Sequence, residues 1–97
     1  MKSKRVSSLV VDALEDMKGQ SIRCIGVSKL TSITDFMVIV TGTSNTHIKA
    51  LADSTVKRAR ESDVKIIGVE GRLQAEWVLV DLGDVVVHIM TAPVRAL

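Results

Sequence analysis

The dipeptide Gly83-Asp84 separates two stretches of alternating apolar residues, and this feature restricts the fold more than any other. A glycine-led pair in this position favours a two-residue turn between antiparallel strands. The flanking stretches, Glu76–Leu82 and Val85–Thr91, are therefore predicted to form a hairpin. Because the turn fixes the register, Trp77 should lie opposite Met90.

The predicted register divides the hairpin into two unlike faces. One face is aliphatic and should pack under helices; its residues are Val78, Val80, Leu82, Val85, Val87 and Ile89. The other face holds a large aromatic, a thioether, two ionisable groups and two aliphatic side chains, namely Trp77, Leu79, Asp81, Val86, His88 and Met90. Trp and Met are favoured at the cores of protein interfaces, with polar groups around them. We therefore expect the second face to bind a partner.

Two amphipathic helices are predicted before the hairpin. Apolar residues recur with helical spacing over Lys4–Lys18, where Ser3 can serve as N-cap. The same spacing recurs over Thr46–Ser62, where Ser44 or Asn45 can cap the first turn. Each helix should bury one apolar stripe against the sheet.

Three further strands complete the prediction, over Ser21–Val27, Phe36–Thr41 and Ile66–Val69. The β-branched stretch Phe36–Thr41 is expected to be buried on both faces at the centre of the sheet. The helix that follows it predicts a crossover to Ile66–Val69, which would make these two strands parallel. The expected fold is one α/β domain over residues 1–97, of mixed α+β type, with a five-stranded mixed sheet and two main helices in the order α-β-β-α-β-β-β.

Composition excludes several classes of function. A chain of 97 residues with 46% hydrophobic and 25% charged residues is expected to fold as one domain. The net charge of +2, with one Phe, one Trp and no Tyr, disfavours direct stacking on RNA bases. The single cysteine, Cys24, is expected to be a small core residue in a reducing compartment, so the cytosol is the expected location. Neither a signal peptide nor a membrane span is expected.

An enzymatic reading begins at Gly42-Thr43-Ser44, a glycine-led turn that could hold an anion between a strand and a helix. Nucleotidyltransferases use a similar turn, but they also need closely spaced carboxylates on a following strand to hold Mg²⁺. Here the next acidic residue is Asp53, inside the second predicted helix. We therefore expect no catalytic residues, metal or cofactor, and we keep a degenerate or unrecognised nucleotidyltransferase as the alternative. His47, in the first turn of that helix, is expected to be a neutral hydrogen-bonding group.

The order and spacing of several motifs resemble the ribosomal silencing factor family, also called the Iojap-related proteins. The matching segments are Thr34-Asp35-Phe36, Thr41-Gly42-Thr43-Ser44, Glu70-Gly71, Trp77-Val78-Leu79-Val80-Asp81 and Gly83-Asp84-Val85-Val86-Val87-His88. The resemblance implies a fold distantly similar to nucleotidyltransferases. It also implies binding to the large ribosomal subunit, through its protein number fourteen, which would block the small subunit and repress translation. Organelle relatives assist assembly of the large subunit.

Carried onto this chain, the resemblance implies a binding surface on the mixed hairpin face and two acidic positions that would face a basic ribosomal protein. The candidate partner-binding residues are Trp77, Asp81, His88, Met90, Leu79, Asp35 and Glu70. A homodimer stays open. Relatives commonly continue past the position of Arg95, so the resemblance does not extend to contacts made by their tail.

A basic stretch on the second predicted helix suggests one further contact. Its residues are Lys49, Lys57, Arg58 and Arg60. Such a stretch is usually solvated surface, but on a ribosome it could make a minor contact with rRNA phosphates.

Overall fold

Strand β5 (Val85–Thr91) lies at the centre of a five-stranded sheet in the computed structural model, which describes residues 2–97. On one side it pairs in parallel with β2 (Phe36–Gly42), and on the other it pairs antiparallel with β4 (Trp77–Asp81). The edge strands β1 (Gln20–Gly26) and β3 (Gly68–Glu70) run antiparallel to β2 and β4. The prediction of a five-stranded mixed sheet is confirmed.

Helices α1 (Lys2–Asp16) and α2 (Asn45–Glu61) pack on one face of the sheet. The core between them is aliphatic because each helix buries one stripe and each strand buries alternate residues. Its fully buried side chains include Val10, Leu14, Val38, Val40, Ile48, Leu51, Val78, Val80, Val85, Val87 and Ile89. No helix within residues 2–97 is long and apolar enough to cross a membrane.

The hairpin register is as predicted. Trp77 pairs with Met90, Leu79 with His88, and the Leu82 N–H donates to the Val85 carbonyl at 2.9 Å. The aliphatic face of the hairpin lies against the helices, as expected. The opposite face of the sheet receives neither main helix, and we call it the open face.

The two strands joined by α2 have the parallel orientation that was predicted, but they are not neighbours in the sheet. Strands β2 and β3 run in the same direction, but β5 and β4 lie between them. The parallel neighbour of β2 is therefore β5. The physical reason is burial: β5 buries Val85, Val87 and Ile89 completely under the helices, whereas β3 has three residues and is largely exposed.

Burial of β2 and β1 also differs from the prediction. Val38 and Val40 are fully buried, but Met37 and Ile39 are only half-buried, because the open face has no helix over it. Cys24 is exposed and is not a core residue, since β1 is an edge strand. Exposure at an edge cannot be inferred from the alternation within one strand.

The ends of the helices show two further differences. Ser3 lies within α1 and is buried, so it is not the N-cap. The cap predicted for α2 is confirmed at Ser44, whose side chain accepts a hydrogen bond from the His47 N–H at 3.1 Å. A short helix that the sequence did not indicate, α3 (Ala92–Arg95), follows β5 directly and has a proline in its first turn.

Candidate functional site

The parallel pairing of β2 with β5 assembles the middle of the open face. It places Ile39 beside His88 and Met37 beside Val86. Antiparallel pairing with β4 then places Leu79 on the other side of His88. Three strands therefore contribute adjacent side chains to one surface, and His88 stands at its centre.

A groove of about 670 Å³ runs along this surface towards the C-terminal end of β5. Its lining is mostly apolar and comes from β2, β4, β5 and the segment after β5. The lining residues are Met37, Ile39, Glu76, Trp77, His88, Met90, Val94, Arg95 and Leu97. A groove lined by Trp and two Met side chains can hold an apolar segment of another molecule.

Trp77 has 54% of its surface accessible. It is the most exposed of the large apolar side chains that the strands contribute to the groove. Its backbone position is fixed by a tight connection from β3. Gly71 has φ +83°, and a Cβ added there would collide with the Trp77 carbonyl oxygen. The Ala75 N–H donates to the Gly71 carbonyl at 3.0 Å, and Ala75 is fully buried. The glycine therefore allows the close approach that sets where β4 begins.

Trp77 and His88 are joined by a hydrogen bond. The indole Nε1–H donates to Nδ1 of His88 at 3.1 Å, and the ring centroids are 6.0 Å apart. An indole nitrogen can only donate, so Nδ1 must be unprotonated and the neutral ring carries its proton on Nε2. Burial lowers the pKa of His88, because desolvation disfavours the charged imidazolium.

The short helix α3 forms one wall of the groove. Nη1 of Arg95 donates to Oγ1 of Thr41 at 2.8 Å, which ties α3 back to the end of β2. Met90, which pairs with Trp77 and lines the same groove, is only 8% exposed. Met90 therefore forms the floor of the groove and offers little free surface.

The predicted acidic residues lie at different places. Asp81 and Glu70 are on β4 and β3, where Asp81 pairs with Gly68 and Glu70 with Leu79. One Asp81 carboxylate oxygen accepts from the Gly83 N–H at 2.8 Å. Asp35 precedes β2, and its N–H donates to the Asp84 carbonyl at 2.9 Å, beside the hairpin turn. The structure therefore brings Asp81 and Glu70 onto the sheet surface that includes the groove but leaves Asp35 at the far end of β2.

Sequence reasoning missed the contributions of β2 and of the segment after β5. Met37 and Ile39 gave no signal of partial exposure, because they stand in an uninterrupted apolar stretch with the buried Val38 and Val40. The parallel pairing that brings Ile39 to His88 has no local signal, because it joins residues far apart in the chain. The groove wall from α3 had no signal either.

The glycine-led turn between β2 and α2 is occupied by its own hydrogen bonds. The Thr43 N–H donates to Nδ1 of His47 at 2.9 Å, and Nε2 of His47 lies 2.8 Å from the Met17 carbonyl oxygen. The His47 ring therefore connects this turn to the end of α1. Within residues 2–97, no three His, Cys, Asp or Glu side chains converge as they would around a metal ion.

The fold and the groove together define a small α/β protein with one helix-covered sheet face and one open, largely apolar face. The family model described as "Ribosomal silencing factor during starvation" matches residues 1–97. The chain belongs to this ribosomal silencing factor family, and the resemblance noted from its motifs is confirmed.

Individual relatives agree with this assignment. The ribosomal silencing factor RsfS of Chromobacterium violaceum is 48% identical over 95 residues, which cover 98% of this chain and 78% of that protein. A crystal structure of a protein from the same organism superposes with a TM-score of 0.97 at 48% identity, covering 99% of this chain and 80% of the other. A mouse protein named "Mitochondrial assembly of ribosomal large subunit protein 1" is 29% identical over 90 residues, covering 90% of this chain and 40% of that protein.

Proposed function

We propose that this chain binds the large ribosomal subunit in the cytoplasm, through the subunit's protein number fourteen, and sterically blocks association with the small subunit. Translation is repressed because an occupied joining surface cannot form a complete ribosome. The chain acts as one binding domain over residues 1–97. Membership of the ribosomal silencing factor family supports a ribosomal partner.

The observation that carries the proposal is the exposed Trp77 in the apolar groove of the open face. Large aromatic side chains in partly enclosed pockets contribute most of the binding energy at protein interfaces. Met37 and Ile39 flank the same groove and supply further apolar surface that a partner would bury. The groove therefore provides a hot spot with apolar surroundings.

Charge around the groove favours a basic partner. Glu76 lies in the groove lining, and Asp81 and Glu70 lie on the adjoining strands. Two basic groups, Arg95 and Arg23, lie near the same surface, so the three carboxylates leave only a small net negative charge around the groove. A ribosomal protein, whose surface carries many basic side chains to hold rRNA, is complementary to this arrangement.

The proposed action requires no catalysis. The backbone N–H of Thr43, which an anion-binding turn would direct at its ligand, is used by His47. We also propose that the fold is distantly similar to that of nucleotidyltransferases and that the chain does not catalyse their reaction. The alternative of a degenerate or unrecognised nucleotidyltransferase predicts Mg²⁺-dependent nucleotide transfer that Ser44→Ala abolishes.

Three secondary interactions belong to the same proposal. The name of the mouse relative refers to assembly of the large subunit, which supports a second role in its biogenesis. A minor rRNA contact would use the exposed Lys57 and Arg60 of α2, since Arg58 is paired with Asp16. A homodimer is the third interaction, and analytical ultracentrifugation would detect it.

Subunit joining in vitro tests the main proposal. Purified small and large subunits are mixed with excess protein and separated on a sucrose gradient. We expect fewer joined ribosomes, and we expect the protein to sediment with the large subunit. Trp77→Ala should abolish both effects, whereas Leu73→Ala should not, because Leu73 is 84% exposed but does not line the groove. Unchanged joining with the wild-type protein would refute the proposal.

A further inference from the structure

The two ring nitrogens of His88 have different roles. Nδ1 accepts the hydrogen bond from Trp77 Nε1, which leaves the ring proton on Nε2. Nε2 of His88 forms no hydrogen bond within residues 2–97. Every buried side-chain nitrogen or oxygen among these residues does form a hydrogen bond. Nε2 is therefore accessible to solvent, and its N–H is available to a ligand.

The surroundings of this N–H are mostly apolar. His88 lies between Ile39 of β2 and Leu79 of β4, and the groove beside it is lined by thioether, aliphatic and indole groups. The ionisable groups on the elements around it are Glu76, Arg95, Asp81, Glu70 and Arg23. None of these groups makes an ion pair with His88 in the part of the chain that the structure describes. An apolar segment that fills the groove would therefore meet the Nε2–H of His88 in largely apolar surroundings.

We propose that the Trp77–His88 pair is a specificity device, in which Trp77 fixes the tautomer of His88 so that Nε2–H donates to an uncharged oxygen acceptor on the partner. The acceptor is a backbone carbonyl or a side-chain amide of the segment that enters the groove. This inference rests on the proposed function and names the chemistry that the partner must present. His88 contacts the partner, and Trp77 is both a contact and the positioning residue for His88.

An uncharged acceptor is favoured over a carboxylate for two reasons. A carboxylate would stabilise the imidazolium form of His88. That form carries a second ring proton, on Nδ1, which would point at the indole N–H and break the hydrogen bond to Trp77. Three carboxylates, of Glu76, Asp81 and Glu70, also lie around the groove against the two guanidinium groups of Arg95 and Arg23, so a carboxylate would meet a small net negative charge. Acidification should therefore weaken partner binding, because protonated His88 must lose its bond to Trp77.

The tautomer is tested on the free protein by long-range ¹H–¹⁵N correlation NMR of the imidazole rings. We expect wild-type His88 to show a protonated Nε2 and an unprotonated Nδ1 at about pH 7.5. Trp77→Phe, which keeps an aromatic ring but removes the N–H, should allow the second tautomer to appear. A wild-type ring protonated on Nδ1 would overturn the inference without involving the ribosome.

The recognition role is tested by cosedimentation with purified large subunits at about pH 7.5 and about pH 5.5. We expect the wild-type affinity to be several-fold lower at the acid pH. His88→Leu, which removes the donor, should lose roughly ten-fold at the neutral pH and show little further loss at the acid pH. His47→Gln, at the histidine outside the groove, should keep the wild-type ratio between the two pH values.

The outcomes separate the two proposals. If wild-type protein does not bind large subunits at either pH, the proposed function is wrong, and the role of His88 in recognition falls with it. If wild-type protein binds but more tightly at the acid pH, the acceptor is a carboxylate and the inference is wrong. An unchanged affinity for His88→Leu would also overturn it, with circular dichroism confirming that the variant is folded.

Discussion

The indole Nε1–H of Trp77 donates to Nδ1 of His88 over 3.1 Å, although these residues are diagonal and not opposite in the pairing of β4 with β5. Diagonal neighbours in a sheet are close enough for large aromatic side chains to meet. The bond connects the exposed Trp77 to a half-buried ring whose other neighbours are Ile39 and Leu79. The two side chains therefore behave as one unit, so a change at either should alter the environment of the other.

The stability of the fold should depend on pH through His88. Its pKa is lowered in the folded chain from the ordinary value of 6.5 by burial. The unfolded chain therefore takes up the proton first as the pH falls, so stability is complete above 6.5 and declines below it. Thermal unfolding of wild type and His88→Gln should be compared above and below pH 6.5. The loss of stability below this pH should be smaller in the variant. An equal decline in both would mean that His88 does not contribute.

Adjacent residues of β2 should separate binding from folding. Val38 is fully buried against the helices, so Val38→Ala should lower the free energy of unfolding by about 2 kcal/mol and leave partner affinity intact. Met37 lines the groove, so Met37→Ala should cost roughly 1 kcal/mol in partner binding with a smaller loss of stability. Urea unfolding and cosedimentation of both variants test this. The reverse pattern would place the binding surface on the wrong face.

Two glycines with the same backbone angle should respond differently to alanine. Gly71 and Gly83 both have φ +83°, and an alanine in this region costs about 1 kcal/mol at either position. At Gly71 the new Cβ also meets the Trp77 carbonyl, whereas at Gly83 it meets only the flexible Ile67 side chain at 3.2 Å. Gly71→Ala should therefore be the more destabilising in urea unfolding, and it should also weaken partner binding by moving Trp77.

The dependence of large-subunit binding on salt should be shallow. The groove is mostly apolar, and a minor rRNA contact through Lys57 and Arg60 would neutralise roughly two phosphates. The double variant Lys57→Ala with Arg60→Ala should lower the slope of log affinity against log salt by about two, with most of the affinity retained. A steep slope that survives Trp77→Ala would instead indicate binding dominated by rRNA.

Local pattern was sufficient to predict the two main helices, the five strands and the two faces of the hairpin, but not the short helix α3. Gly83-Asp84 fixed the register because a two-residue turn leaves no freedom in pairing. The alternation on either side then placed Trp77 and His88 on the same face. Four of the candidate residues, Trp77, Leu79, His88 and Met90, were brought together for this reason, and their role in binding stays a prediction.

Tertiary structure decided what the rest of the site contains. The insertion of β5 between β2 and β4 brought Ile39 beside His88, and no local signal specifies which strand becomes the neighbour of another. Both main helices cover the same face, so Met37 stays half-exposed and Cys24 lies at an edge.

The sequence by itself determined the two main helices, the presence of five strands, the hairpin register and the membership of the ribosomal silencing factor family. Only the tertiary structure decided that Trp77 is open to solvent, that Met90 is covered and that Trp77 donates to His88. The physical reason is that exposure and side-chain hydrogen bonds depend on which elements pack over a residue. That packing is set by burial of the whole chain and not by the spacing of apolar residues within one strand.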